Sequence, residues 1–252
     1  MKIVYVVPGI MEQEELDRRG AMLKSWAFEE TQVDIVCVPE GPASIESMYE
    51  EYLSIPATMK VVYEMQELGY DAAILGCAGD PGLDAAREIT DDMLVIGPGQ
   101  GSMIVAAMLG HTFSILTIEA SMIASSYELA YKAGVKEKVA SVIPVNVPVL
   151  ELNINREESL KKIIAAAKKA VEEDNADVLV LGCMSMGFLD VAKEIEAAVG
   201  VPVINPSLTG LKTAEALLGS KLMHSKKAFA TPPKIASGRI SSLDELYINK
   251  VD

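Results

Sequence analysis

The chain has 252 residues, half of them hydrophobic but only 5% aromatic, so its core must be aliphatic, as in buried parallel sheets. A formal charge of −14 excludes the basic footprint that a nucleic-acid backbone demands. No apolar run approaches the roughly 18 residues of a membrane-spanning helix, so neither nucleic acid nor membrane is expected as a partner.

In chain order, short apolar runs alternate with longer helical patterns. Lys2–Val7 reads as a strand, ended by Pro8-Gly9 and the charged stretch Glu12 to Arg19, and is too short for a signal sequence. Glu14–Glu29 reads as a helix, Val33–Val38 as a strand, Ser54–Leu68 as a helix and Ala72–Gly76 as a strand. Helix Leu83–Ile89 and strand Leu94–Ile96 follow. The second half offers strands at Thr112–Thr117, Ser141–Val145, Val178–Gly182 and Pro202–Ile204, with helices at Ser121–Lys132, Glu157–Asp174 and Leu189–Val199. A helix at Leu208–Leu218 leads into a tail rich in Ser, Lys and Pro, expected to be extended and partly ordered. Strand–helix alternation of this kind predicts parallel sheets with helices on both faces.

The two halves repeat. Asp71/Asp177, Leu75/Leu181, Gly76/Gly182, Cys77/Cys183, Leu83/Leu189, Asp84/Asp190, Glu88/Glu194 and Ile89/Ile195 are each 106 residues apart. The predicted fold is therefore α/β with two pseudo-symmetric lobes, each a parallel sheet flanked by helices, related by internal duplication. Residues 1–98 form the first lobe, residues 99–206 the second, and residues 207–252 are expected to return to the first.

Ligands of open α/β sheets bind beyond the carboxyl ends of the strands, and Cys77 and Cys183 occupy that position in each lobe. Two equivalent thiols across a cleft can handle a proton from opposite sides, as in a cofactor-free racemase or epimerase. A helix starting a few residues later is expected to lower each thiol pKa. Neither thiol has a second Cys or His at ligand spacing, so no metal is expected, and Cys37 reads as a core residue of its strand. Three cysteines in strand-like runs make no disulfide framework, which fits a reducing cytoplasm.

Other features have plainer readings. Gly97-Pro98-Gly99-Gln100-Gly101-Ser102 matches no nucleotide-binding pattern and reads as an interlobe turn with a helix N-terminus near the ligand. Asp80 reads as a cap or turn residue, Asp84 and Asp190 as helix-start acids, and Lys161, Lys162, Lys168 and Lys169 as a solvated face. His111 and His224 show no evident partners and read as surface or loop residues.

Longer strings carry a resemblance. Gly41-Pro42-Ala43-Ser44-Ile45-Glu46, Ile55-Pro56 and the run from Gly76-Cys77 through Gly79-Asp80-Pro81-Gly82-Leu83-Asp84 resemble the hydantoin racemase family. So do Val147-Pro148-Val149-Leu150-Glu151-Leu152, Leu181-Gly182-Cys183 with Met186, and Ser225-Lys226-Lys227 with Pro232-Pro233-Lys234. The resemblance implies the aspartate/glutamate racemase superfamily, one catalytic cysteine per lobe, no cofactor, and a homo-oligomer acting on 5-substituted hydantoins or allantoin. Two departures stand out: the family commonly shows Asn-Pro-Asn where this chain has Val7-Pro8-Gly9, and a larger side chain where it has Ala78. Amino-acid racemases of the superfamily usually carry Cys-Asn-Thr, which grips an α-carboxylate. Cys77-Ala78-Gly79 and Cys183-Met184-Ser185 lack it, which argues against aspartate or glutamate.

The expected site thus comprises Cys77 and Cys183 as the two proton-transfer groups. Pro8, Gly9, Ala78, Gly79, Gly99, Gln100, Thr117, Met184 and Ser185 are the expected substrate contacts. Backbone N–H groups after each cysteine and at Gly99–Ser102 would stabilise an enolate-like oxygen. The alternatives are a cysteine-dependent isomerase, decarboxylase or amino-acid racemase on the same scaffold, and a non-catalytic two-lobed binding protein.

Overall fold

The computed structural model describes residues 1–240 and 243–246. The first half alternates β1 (Lys2–Val7), α1 (Gln13–Trp26), β2 (Gln32–Cys37), α2 (Met48–Glu67), β3 (Ala72–Leu75), α3 (Leu83–Ile89), β4 (Leu94–Ile96) and α4 (Pro98–Leu109). The second repeats the scheme with β5 (Phe113–Thr117), α5 (Ile123–Lys132), β6 (Val139–Pro144), α6 (Arg156–Glu172) and β7 (Val178–Leu181). It continues with α7 (Met184–Phe188), α8 (Ala192–Val199), β8 (Val203–Ile204), α9 (Pro206–Gly219) and a single turn of helix, α10 (Pro233–Ala236).

Two four-stranded sheets result, ordered β2-β1-β3-β4 and β6-β5-β7-β8, and every pairing is parallel. The identical order in both is the duplication expressed in space. The central strands read as unbroken apolar runs because both faces are covered: Ile3 to Val6 and Ala72 to Leu75 are fully buried. Each Leu-Gly-Cys string ends its strand in the same way. The Gly76 N–H donates to Val6 O at 2.7 Å and the Gly182 N–H to Leu116 O at 2.8 Å. A Cβ at either glycine would come within 3 Å of that same carbonyl. Only glycine lets the chain pass this close to the neighbouring strand before the cysteine.

The lobes exchange helices. The chain leaving β4 enters α4, which packs on β7 and β5 of the second sheet; the chain leaving β8 enters α9, which packs on β3 and β4 of the first. These two helices also lie against each other. The core of the first lobe accordingly includes Met184, Phe188, Leu211 and Ala214 from the second half. Phe188 meets Tyr5 edge-on and stacks with Trp26, at centroid distances of 5.5 and 5.8 Å.

Some local expectations need correction. Helix α2 begins at Met48, not Ser54, and carries Pro56 in its interior. A capping box sets that start: Ser47 Oγ accepts from the Glu50 N–H while Glu50 Oε2 accepts from the Ser47 hydroxyl and the Glu46 N–H. Asp190 does not start a helix; it adopts a left-handed backbone with φ of 55° between α7 and α8. Cys37 is the last residue of β2 and half-buried, not mid-strand. His224 has a partner, its Nε2 accepting the Val95 N–H at 2.7 Å on the outer edge of β4. The parts of the tail at 241–242 and 247–252 lie outside the described residues.

Candidate active site

A cavity of about 550 Å³ opens between the carboxyl ends of the two sheets. Cys77, one residue beyond Gly76, reaches it from the first lobe, and Cys183, at the foot of α7, reaches it from the second. Pro8, Gly9, Ala78, Gly79, Gly99, Thr117, Met184 and Ser185 line the same space. Of the nine expected contacts, Gln100 is the one the structure turns away.

The Gln100 side chain accepts from Arg87 Nη2 at 3.1 Å, outside the cavity lining. Its N–H is also taken, donating to Asp80 Oδ2 at 2.7 Å beside the Gly99 N–H, which donates to Oδ1 at 2.9 Å. The Gly101 N–H goes to Gly97 O. The start of α4 is therefore capped by Asp80 and its N–H groups are not open to a substrate oxygen, contrary to the expectation for Gly99–Ser102. Asp80 holds a left-handed backbone, φ 53°, and is buried. Burial raises its carboxyl pKa to about 7, although the two N–H donors and Arg87 favour the anion.

Sequence reasoning missed the polar groups that flank the thiols. Arg19 of α1 is buried and lines the cavity, its Nη2 donating to Ser185 Oγ at 3.1 Å and its Nε to Glu15 Oε1 at 2.7 Å. Its guanidinium lies 4.8 Å from the centroid of Phe188. The signal was present: Leu16, Arg19, Gly20 and Leu23 share one helical face, so an arginine stands in an apolar stripe. Ser125 and Ser126 of α5, and Asn153 beyond β6, complete the polar lining from the second lobe.

The thiols are not lowered in pKa as expected. Burial pushes both up, Cys77 far above its ordinary value. At Cys183 the opposing influences are the N–H groups of Met186 and Ser185 and the charge of Arg19. At Cys77 only the Gly79 N–H, 3.5 Å from Sγ, favours the anion, whereas the charges of Glu51, Cys183 and Asp80 oppose it. The two positions match in backbone and differ in electrostatics. Among the described residues no three His, Cys, Asp or Glu side chains gather as a metal ion would require. No helix among them is long and apolar enough to cross a membrane.

Comparison with known proteins places this geometry. The chain is 37% identical over 212 residues to a hydantoin racemase of Pseudomonas sp., covering 84% of each chain. It is 34% identical over 201 residues to a hydantoin racemase of Paenarthrobacter aurescens, covering 78% of this chain and 82% of that one. Its fold superposes on an allantoin racemase from Klebsiella pneumoniae with a TM-score of 0.87 at 28% identity, covering 96% and 97% of the two chains. Residues 20–214 match the Asp/Glu/Hydantoin racemase profile, a span that takes in β3, β7 and both cysteines. With the duplicated sheets and paired Leu-Gly-Cys strand ends, this settles the family: the chain is an isomerase of the Asp/Glu/Hydantoin racemase family.

Proposed function

We propose that the protein is a cofactor-independent racemase that works with two thiols on a small cyclic amide, such as a 5-substituted hydantoin or allantoin. The observation that carries this reading is the pair Cys77 and Cys183 at equivalent strand ends, lining one cavity. One thiolate removes the hydrogen from the ring carbon beside a carbonyl, and the opposite thiol returns a proton to the other face. Arg19 and the Ser185 and Met186 N–H groups favour the anion on Cys183 against the burial that opposes it. Arg19 and Ser185, both on the cavity wall, would stabilise the negative charge that develops on the ring oxygen. The relatives support the substrate class: hydantoin racemases of Pseudomonas sp. and Paenarthrobacter aurescens are similar to this chain in sequence, and the allantoin racemase from Klebsiella pneumoniae is similar in fold. The absence of a Cys-Asn-Thr grip for an α-carboxylate favours a ring over an amino acid. Free thiols suit a reducing cytoplasm, and a homo-oligomeric assembly is part of the same proposal.

Deuterium wash-in from D₂O across hydantoins, allantoin, aspartate and glutamate tests it. Exchange with loss of optical rotation is expected for a cyclic amide, surviving dialysis and chelators and abolished by alkylation. Undiminished activity after complete alkylation of both cysteines would overturn the thiol mechanism.

A further inference from the structure

A two-thiol racemase leaves each turnover with its protons exchanged: the thiol has become a thiolate and the thiolate a thiol. That form binds the product enantiomer, so net conversion in one direction requires the free enzyme to reset. Direct exchange with water is slow for a thiol whose anion is disfavoured, and a neighbouring acid–base group speeds it.

One such group stands behind Cys77. Glu51 lies in the first turn of α2, the segment that the Ser47–Glu50 capping box adds to the helix. Its Oε2 is buried without a hydrogen-bond partner, an arrangement that ordinarily costs stability and calls for a reason. A Cβ at position 79 would stand 2.8 Å from that oxygen and 3.7 Å from Cys77 Sγ, so both atoms border one point that glycine leaves open. The Glu51 charge acts on Cys77. Glu51 as a whole is half-buried, so part of the residue meets solvent while Oε2 is enclosed. The charged groups that face it are Lys132 and Glu128 of α5, while Asp80 bears on the thiol itself. Burial raises the Glu51 pKa, bringing it towards the range where a carboxyl both gives and takes protons.

We propose that Glu51 is the proton relay of Cys77, a positioning residue that carries its proton to and from water between turnovers. Cys77–SH and Glu51–CO₂⁻ become Cys77–S⁻ and Glu51–CO₂H, directly or across one water molecule, and the acid then releases its proton to solvent. The reverse sequence recharges Cys77. No electron moves, and the complementary proton change at Cys183 uses water in the open cleft. This rests on the racemase reading.

The test compares wild type, Glu51→Gln and Glu51→Asp with both enantiomers of allantoin and of a 5-alkylhydantoin. At high substrate, net racemisation slows because enzyme is trapped in the form that binds product. In Glu51→Gln that slowing should begin at a concentration about tenfold lower, with kcat/KM at low substrate changed far less, and Glu51→Asp should recover part of the difference. Iodoacetamide labelling of Cys77, followed peptide by peptide, supplies a second readout. Removing the nearby negative charge should move its pH profile downward, so labelling speeds up while high-substrate turnover slows. A merely structural role does not produce those opposite movements. If neither quantity moves while wild type racemises, the assignment to Glu51 is overturned and the racemase reading stands. If wild type racemises nothing, the racemase reading fails, and an unmoved labelling profile would remove Glu51 as well.

Discussion

Asp80 and Gly99 join the two lobes beside the cavity: the Gly99 N–H, at the start of α4, donates 2.9 Å to the carboxyl of Asp80 in the loop after Cys77. The bond fixes the loop that carries one thiol to the helix that crosses to the other lobe. Asp80→Asn keeps the shape but presents one oxygen and one NH₂ to two N–H donors. It should cost about 1–3 kcal/mol. The penalty should depend on pH. The folded-state pKa, about 7, lies above the unfolded value of 3.8, so the wild-type contribution is fully present below the lower value and is lost as pH rises through about 7. Denaturant midpoints of the two proteins should therefore converge between pH 5 and roughly pH 8. A constant gap would show that Asp80 does not titrate there.

Replacing Cys77 by Ala should abolish racemisation in both directions, because a turnover needs a donor and an acceptor on opposite faces. The surviving Cys183 can still remove and return a proton on its own face. Proton NMR in D₂O should show exchange into one enantiomer only, with configuration retained, and the opposite enantiomer for Cys183→Ala. A single mutant that still racemises at the wild-type rate would require a one-base mechanism.

Arg19 distinguishes the two thiols. Arg19→Gln removes the cation that favours the Cys183 anion and the donor that holds Ser185. We expect kcat/KM to fall about 10- to 100-fold near neutral pH, with partial recovery as pH rises, since hydroxide then supplies the thiolate that Arg19 no longer favours. Arg19→Lys keeps the charge and should retain more of the rate. A loss independent of pH would assign Arg19 to packing on Phe188 instead.

His224 should contribute an acid limb to stability. Its Nε2 accepts from Val95 only when neutral, and burial with the charges of Arg87 and Lys226 lowers its pKa to about 4 from 6.5. Folding then binds fewer protons than unfolding between those values, so stability is retained above pH 6.5 and lost as pH falls towards 4. Calorimetry across that window should show a steeper fall in Tm for wild type than for His224→Gln.

The sheets were legible because a strand buried on both faces is an apolar run that little else resembles, and β1, β4 and α3 fall where the pattern puts them. Cys77 and Cys183 stood out because the duplication places them at equivalent strand ends. The electrostatics were less visible. A helix read over Ser54–Leu68 leaves out the two turns that carry Glu51; the Ser47-x-x-Glu50 box held the correct start. The direction of the thiol pKa shifts depends on burial supplied by the opposite lobe, which no local pattern encodes. Asp80 reads as a cap, but its target at Gly99 lies beyond a helix and a strand, α3 and β4.

The exchange of α4 and α9 has a consequence for any attempt to divide the gene at its duplication boundary. A fragment of residues 1–109 would carry α4 with no second sheet to cover, and a first sheet stripped of Leu211 and Ala214, both fully buried in the intact chain. Two copies of that fragment could satisfy both demands by each lending its terminal helix to the other, in a closed two-fold pair. Covalent fusion of two such units would preserve every interface while freeing the halves to diverge. That freedom is what allows one thiol to sit beside an arginine and its twin beside a glutamate.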